Sequence, residues 1–240
     1  MAGCINDSHN LTRLVRSRLG RRITYFAQMI DTLPKSHKWY PTRAKIDRQL
    51  VHLRSLATKN KISHIIFHYS GHGDSRRDRS GDERDGRDET ILPVDHASAG
   101  TIADDFFINN ILNRLPRRTH VFALVDACHS GTFMDLRRSY HLRGKSTLHA
   151  ITENKRAKDN RRHVLISGCV DSSYSYDTYD TEYGASGACT VAFIRAIKGR
   201  RAPRLVDIMR SMRAATKPHG QVPQLSANYK LGSQSRLPVL

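Results

Sequence analysis

The chain has 240 residues, enough for one substantial α/β domain and short for two, and its 40 Lys and Arg against 22 Asp and Glu give a formal net charge of +18. No apolar run is long enough to cross a bilayer and the N-terminus lacks the apolar core of a secretory signal, so a soluble, cytoplasmic protein with no membrane partner is expected. Cys4, Cys128, Cys169 and Cys189 are far apart, with no CxxC pair, which argues against a zinc ribbon or a dithiol oxidoreductase. The basic balance favours anionic partners, nucleic acid first. The basic residues are spread along the chain without a helix-turn-helix, zinc-finger or RNA-binding signature, so nucleic acid is possible but not favoured over a plain basic surface.

Residues 1–8 read as a polar turn in which Asp7 or Ser8 caps a helix built on Leu11, Leu14, Val15 and Leu19. Arg22 to Met29 alternates well enough for a strand. Pro41-Thr42 opens a second helix striped by Ile46, Leu50, Leu53 and Ala57, and the apolar run 62–70 is a strand. Strand, helix, strand at this spacing implies a parallel crossover. From Asp74 to Glu89 no residue is apolar, which reads as a solvated loop. Asp104-Asp105 begins a helix carrying Phe106, Phe107, Ile111 and Leu115.

The stretch 120–131, HVFALVDACHSG, joins a buried strand to a polar turn bearing Cys128. Residues 135–162 are rich in Lys and Arg and read as an exposed loop. A buried strand at 163–169, a Ser/Asp/Tyr loop at 171–183, helices at 188–198 and around Leu205 to Met212, and a terminal loop with an edge strand at 220–228 complete the chain.

Two strands thus end in reactive residues: 62–70 opens into Gly71-His72-Gly73, and 120–126 opens towards Cys128. Open α/β sheets keep their active sites at such tips. A thiol with an ordinary pKa near 8.5 needs a neighbouring base to attack as a thiolate, and a histidine can supply that help and later protonate a leaving amine. The flanking glycines leave the imidazole of His72 accessible. Taken singly, Cys128 is as well explained as a small buried hydrophobe and His72 as a loop histidine.

HYSGHG at 68–73 and DACHSG at 126–131 resemble the two catalytic motifs of the metacaspases, the caspase-fold cysteine peptidases, and the histidine precedes the cysteine by close to the roughly 50 residues of a caspase signature. The resemblance continues through GCINDSHN at 3–10, PTRAKI at 41–46, DGRDETILPVD at 85–95, SGC at 167–169 and VPQLS at 222–226. It implies an α/β, caspase-like fold of type I character: a three-layer sandwich whose mainly parallel central sheet is flanked by helices. The whole of 1–240 then forms one peptidase domain, with 1–136 as a large-subunit-like part, 137–162 as a basic exposed linker and 163–240 as a small-subunit-like part.

By the same resemblance Cys128 is the nucleophile and His72 the general acid/base of a dyad that works through a thioester, with backbone amides at Gly73 and Cys128 as oxyanion donors. Asp7, Ser70 and Asp126 form the pocket for an Arg or Lys side chain of a protein substrate, which suits the charge-assisted recognition of a guanidinium by carboxylates. Asp88, Asp104, Asp105 and Asp135 match a site for an activating calcium ion, a cation that takes six to eight oxygens. For Asp104 and Asp105 a favourable position at a helix start is the plainer explanation. No organic cofactor is implied, self-cleavage is expected within 137–162, and the monomer is the expected state.

Relatives of this kind carry an apolar strand just ahead of the GCIND-like turn, and this chain starts at Met1-Ala2-Gly3, which leaves three readings open: a true start further upstream, a sheet that closes differently, or a compromised homologue with an unpaired strand edge. A catalytically inactive caspase-like scaffold and a basic nucleic-acid-binding protein remain as alternatives.

Overall fold

The computed structural model describes residues 2–78, 86–128, 130–144, 147–154, 162–168 and 177–240. In chain order its elements are α1 (Ala2–Leu19), α2 (Arg43–Lys59), β1 (His64–Ser70), β2 (Gly73–Arg77), β3 (Arg87–Ile91), α3 (His96–Ala99), β4 (Ile102–Ala103), α4 (Asp104–Asn110), β5 (His120–Asp126), β6 (Arg138–Arg143), β7 (Thr147–Thr152), β8 (Val164–Ser167), β9 (Asp177–Asp180), β10 (Gly184–Gly187), α5 (Ala188–Ile197), α6 (Leu205–Thr216) and β11 (Gln224–Ala227).

The central sheet has six strands in the order β1-β5-β8-β11-β6-β7. β1, β5 and β8 are parallel, and the antiparallel pairings of β11 with β8 and with β6 leave β6 running the same way as those three. β5 sits inside the sheet, and Val121, Phe122, Ala123, Leu124 and Val125 are all at most 1% exposed. That is the burial expected when helices cover both faces. Alternation along β5 assigns the layers. Phe122 and Leu124 pack with Leu11 and Val15 of α1, Phe193 of α5 and Met209 of α6. Val121, Ala123 and Val125 pack on the other side with Leu50 of α2 and Phe107 of α4. The three-layer, mainly parallel architecture expected from the sequence is the one observed.

Several local expectations are corrected. α1 begins at Ala2, so Asp7 lies inside the helix and caps nothing. Polar side chains of α1 are spent on β10 and the residue before it: Asn6 Nδ2 donates to Ala185 O at 2.7 Å and Asn10 Nδ2 to Tyr183 O at 3.2 Å. Residues 23–30 form no strand; Tyr25 instead donates to Gln49 of α2 at 2.6 Å and Gln28 to Ser8 of α1 at 2.9 Å, so the segment bridges two helices. β1 is the outer strand of the sheet, with no strand paired on its far side among the described residues.

The apolar-free stretch 74–89 contains the antiparallel pair β2 and β3, extended by β4 into a three-stranded sheet, and only 79–85 lies outside the described residues. Asp88 is buried there because Arg76, its register partner, donates Nε to Asp88 Oδ2 at 2.9 Å. The expected loop 135–162 contains β6 and β7, which extend the central sheet as a hairpin, and Tyr140 is fully buried. Of the linker expected at 137–162, residues 145, 146 and 155–161 lie outside the described residues. β11 is an interior strand between β8 and β6, where an edge strand was expected.

Candidate active site

The ends of β1 and β5 are joined in register, with Ser70 opposite Asp126, and the pairing continues into the turn as Gly71 N donates to Asp126 O at 3.2 Å. Past the turn, a Cβ built on Gly73 would lie 2.1 Å from the carbonyl oxygen of Cys128. The backbone following His72 therefore presses directly on that of Cys128. His72 is exposed and Cys128 half-buried, on adjacent turns at the C-terminal ends of neighbouring parallel strands.

The glycines on either side of His72 have steric reasons beyond access. Gly71 passes the phenol of Tyr69, where a Cβ would come within 2.6 Å of the hydroxyl oxygen, and Gly73 passes the Cys128 carbonyl. Leu92 N donates to His72 O at 3.2 Å, which places Gly73 opposite Ile91 at a non-hydrogen-bonded pair and leaves the Gly73 amide outside that ladder. The turn after β5 is braced by Ser130 Oγ, which donates to Ala127 O at 2.8 Å, and by Gln224 Nε2 of β11, which donates to Gly131 O at 3.0 Å. His129, inside the DACHSG motif, and Cys169 of the SGC motif lie outside the described residues.

Asp7, Ser70 and Asp126 come together on the α1 and α5 side of the sheet. Asp7 is fully buried; its Oδ2 accepts from Ser70 Oγ at 2.6 Å and both its oxygens accept from Gly187 N, at 2.9 and 3.0 Å. Asp126 Oδ2 accepts from Thr190 N at 2.8 Å and from Thr190 Oγ1 at 2.9 Å. A Cβ on Gly187 would stand 2.3 Å from Asp126 Oδ2 and 2.7 Å from Asp7 Oδ2, so the two carboxylates flank one point. Gly187 and Thr190 carried no signal in the sequence: a glycine before a helix and a threonine inside it are common where nothing is bound.

The acidic cluster is drawn differently from the sequence expectation. Glu89, Asp104 and Asp135, all buried, have ligand oxygens within 4.8 Å of one another. Asp104 Oδ2 accepts from Glu89 N at 2.7 Å, Asp104 Oδ1 from Asp105 N at 2.6 Å, and Glu89 Oε2 from Thr132 Oγ1 at 2.7 Å. Asp88 belongs to the ion pair with Arg76. Successive residues of β3 point to opposite sides of the strand, which separates Asp88 from Glu89. Asp105 also lies outside the group of three. The alternation that selects Glu89 was hidden because the stretch around it read as loop. Three buried carboxylates this close suit a hard divalent cation of calcium type, which oxygen ligands prefer.

A half-buried thiol and an exposed imidazole on touching strand tips, in a three-layer α/β sandwich, are compatible with a caspase-like domain. Residues 1–137 match the family model described as metacaspase, peptidase C14 domain. The chain belongs to the metacaspase family. Metacaspase-1 of Cryptococcus neoformans is 32% identical over 275 residues, covering 96% of this chain and 59% of the relative. Metacaspase-2 of Arabidopsis thaliana is 34% identical over 222 residues, covering 89% and 52%. The chain thus spans between about half and three-fifths of the length of these curated relatives. A crystal structure of a Geobacter sulfurreducens protein shares the fold with a TM-score of 0.64 at 21% identity, over 99% of this chain and 89% of that one. No helix among the described residues is long and apolar enough to cross a membrane.

Proposed function

We propose that this chain is a cysteine endopeptidase that cuts proteins after Arg or Lys through Cys128 and His72. The observation that carries the reading is the contact of the two strand tips, Gly73 against the Cys128 carbonyl, with Asp7 and Asp126 side by side on one face of the same strand ends. His72 takes the Cys128 thiol proton as the sulfur attacks the scissile carbonyl carbon, then gives it to the leaving amine as the peptide bond breaks. A thioester remains, and water activated by the same imidazole hydrolyses it and regenerates the thiol. The amide of Gly73, outside the ladder with β3, and that of Cys128 are suited to hold the charge that develops on the carbonyl oxygen. Asp126 and Asp7 supply carboxylates for a guanidinium or ammonium group in a largely buried setting.

Calcium is the activator this reading includes. Glu89, Asp104 and Asp135 would hold it, and its chemistry there is neutralisation of three buried carboxylates. Thr132 bonds Glu89 from the loop that follows Cys128, which gives cation binding a direct line to the nucleophile's turn.

The test is hydrolysis of reporter peptides ending in Arg, Lys or Asp, with and without calcium. Cleavage after Arg and Lys and not after Asp is expected. Cys128→Ala abolishes turnover, and His72→Ala lowers it by about 10²- to 10⁴-fold. No hydrolysis by the native chain, or full activity in Cys128→Ala, removes the peptidase reading in favour of a caspase-like scaffold. Cleavage after Asp alone removes the basic pocket.

A further inference from the structure

The first turn of α5 lies directly against both acidic side chains of the pocket. Gly187 precedes the helix and offers no side chain to cap it. One orphan amide of the turn is met from outside the helix, as Asp126 of β5 accepts from Thr190 N, and Asp7 of α1 accepts from the amide of Gly187 just ahead of it. Thr190 then adds a second bond to the same oxygen, Asp126 Oδ2, through its hydroxyl at 2.9 Å.

We propose that Thr190 is a positioning residue for substrate selection, which fixes the Asp126 carboxylate in the orientation that receives the substrate's basic side chain. The inference rests on the reading of Asp7 and Asp126 as that pocket, and adds to it the residue that aims one of its carboxylates. Thr190 is fully buried, and its hydroxyl is spent on Asp126. A helical threonine commonly turns its hydroxyl back onto its own helix. Here the hydroxyl goes to a strand-end carboxylate, and two donors on one oxygen leave Asp126 a single orientation about its Cβ–Cγ bond. A carboxylate that swings by an ångström loses most of a bidentate, charge-assisted contact. Gly187 completes the device, since any side chain there would fill the point between Asp7 and Asp126.

A cap that only stabilises α5 and an aimed carboxylate make different predictions. Thr190→Val keeps the volume and the amide and removes only the hydroxyl bond. The aimed carboxylate predicts that KM for an Arg reporter rises about tenfold with kcat within about twofold, the loss of one hydrogen bond to a charged group. Thr190→Ser, which restores the hydroxyl, returns KM towards the native value. The rate of Cys128 alkylation by iodoacetamide, which uses no pocket, stays unchanged in both. An Arg KM within twofold of native in Thr190→Val, a Thr190→Ser as impaired as Thr190→Val, or a parallel fall in kcat and alkylation overturns the inference. Asp126→Asn separates the two levels. If it raises KM while Thr190→Val does not, the inference alone fails, and if it leaves KM unchanged, the pocket reading and the inference fail together.

Discussion

The Tyr69 hydroxyl donates to the carbonyl oxygen of His72 at 2.7 Å while accepting from Leu92 N at 3.3 Å, so the turn bearing the imidazole is tied to the end of β3 by a half-buried phenol. Burial pushes the phenol above its ordinary pKa, and it remains a proton donor across the physiological range. Tyr69→Phe keeps the ring packing and releases the turn. The expected result is a fall in kcat of about tenfold with KM for an Arg reporter little changed, since a loosened turn misplaces the acid/base without touching the carboxylates. Steady-state kinetics on Tyr69→Phe with a thermal melt checks this. A matched fall in melting temperature with kcat preserved would leave Tyr69 a purely structural part.

The two glycines beside His72 differ in what they avoid, and that ranks their alanine variants. At Gly71 the new methyl meets the end of the Tyr69 side chain, whereas at Gly73 it meets the backbone carbonyl of Cys128. A side chain can yield and a backbone carbonyl beside the nucleophile cannot without moving the site. Gly73→Ala is expected to lower kcat/KM by about a hundredfold or more. Gly71→Ala costs about 1–3 kcal/mol of stability, as overpacking does, and the double variant Gly71→Ala, Tyr69→Phe recovers part of that loss because the clashing hydroxyl is gone. Denaturant melts of the two single variants and the double close this cycle. A double variant no more stable than Gly71→Ala would contradict the assigned clash.

His68, the first residue of the HYSGHG motif, faces inward from β1 beside α1, and its Nε2 has no hydrogen-bond partner among the described residues. Burial pulls its pKa down to about 4. In the unfolded chain the imidazole titrates near 6.5, so between these values the unfolded state binds the extra proton. Stability from keeping His68 neutral is therefore complete above pH 6.5 and is lost as pH falls towards 4, by at most about 3 kcal/mol. His68→Phe, close in volume and without a proton to take, should flatten this part of the pH profile of unfolding. Identical pH slopes for the native chain and His68→Phe between pH 6.5 and 4 would show that His68 is not the group responsible.

What the sequence made legible follows from how each residue is satisfied. Val121 to Val125 could be read as a buried strand because apolar side chains declare their burial by type, and His72 and Cys128 because short motifs followed such strands. The hairpins at 73–91 and 138–152 were missed because their buried polar residues are satisfied by partners that composition does not reveal. Asp88 is neutralised by Arg76, Ser139 donates to Glu153, and Tyr140 donates to Tyr229 O at 2.9 Å. β11 was misjudged in the same way: Gln221 and Gln224 look like solvent residues, yet their amides bond Gly168 O at 2.6 Å and Gly131 O at 3.0 Å inside the fold. Residues 22–29 alternate like a strand, but a strand also needs a neighbour to pair with. For the pocket, Asp7 and Asp126 came from the resemblance, while Gly187 and Thr190 emerge only once α5 is laid against β5.

The acidic cluster gives the sharpest disagreement between resemblance and geometry, and calcium decides it. The resemblance implicates Asp88 and Asp105 with Asp104 and Asp135; the structure gathers Glu89, Asp104 and Asp135 and binds Asp88 to Arg76. A cation held by the native fold raises the melting temperature with concentration, by about 3 kcal/mol of stability at a hundred times its dissociation constant. Chelation by EDTA should reverse that rise and lower reporter hydrolysis in parallel. Glu89→Gln removes one ligand charge from the gathered group and is expected to abolish most of the calcium-dependent shift. Asp88→Asn only breaks the pair with Arg76, so it should lower the melting temperature modestly with and without calcium and leave the shift in place. Full retention of the shift in Glu89→Gln together with its loss in Asp88→Asn would restore the ligand set that the resemblance implies.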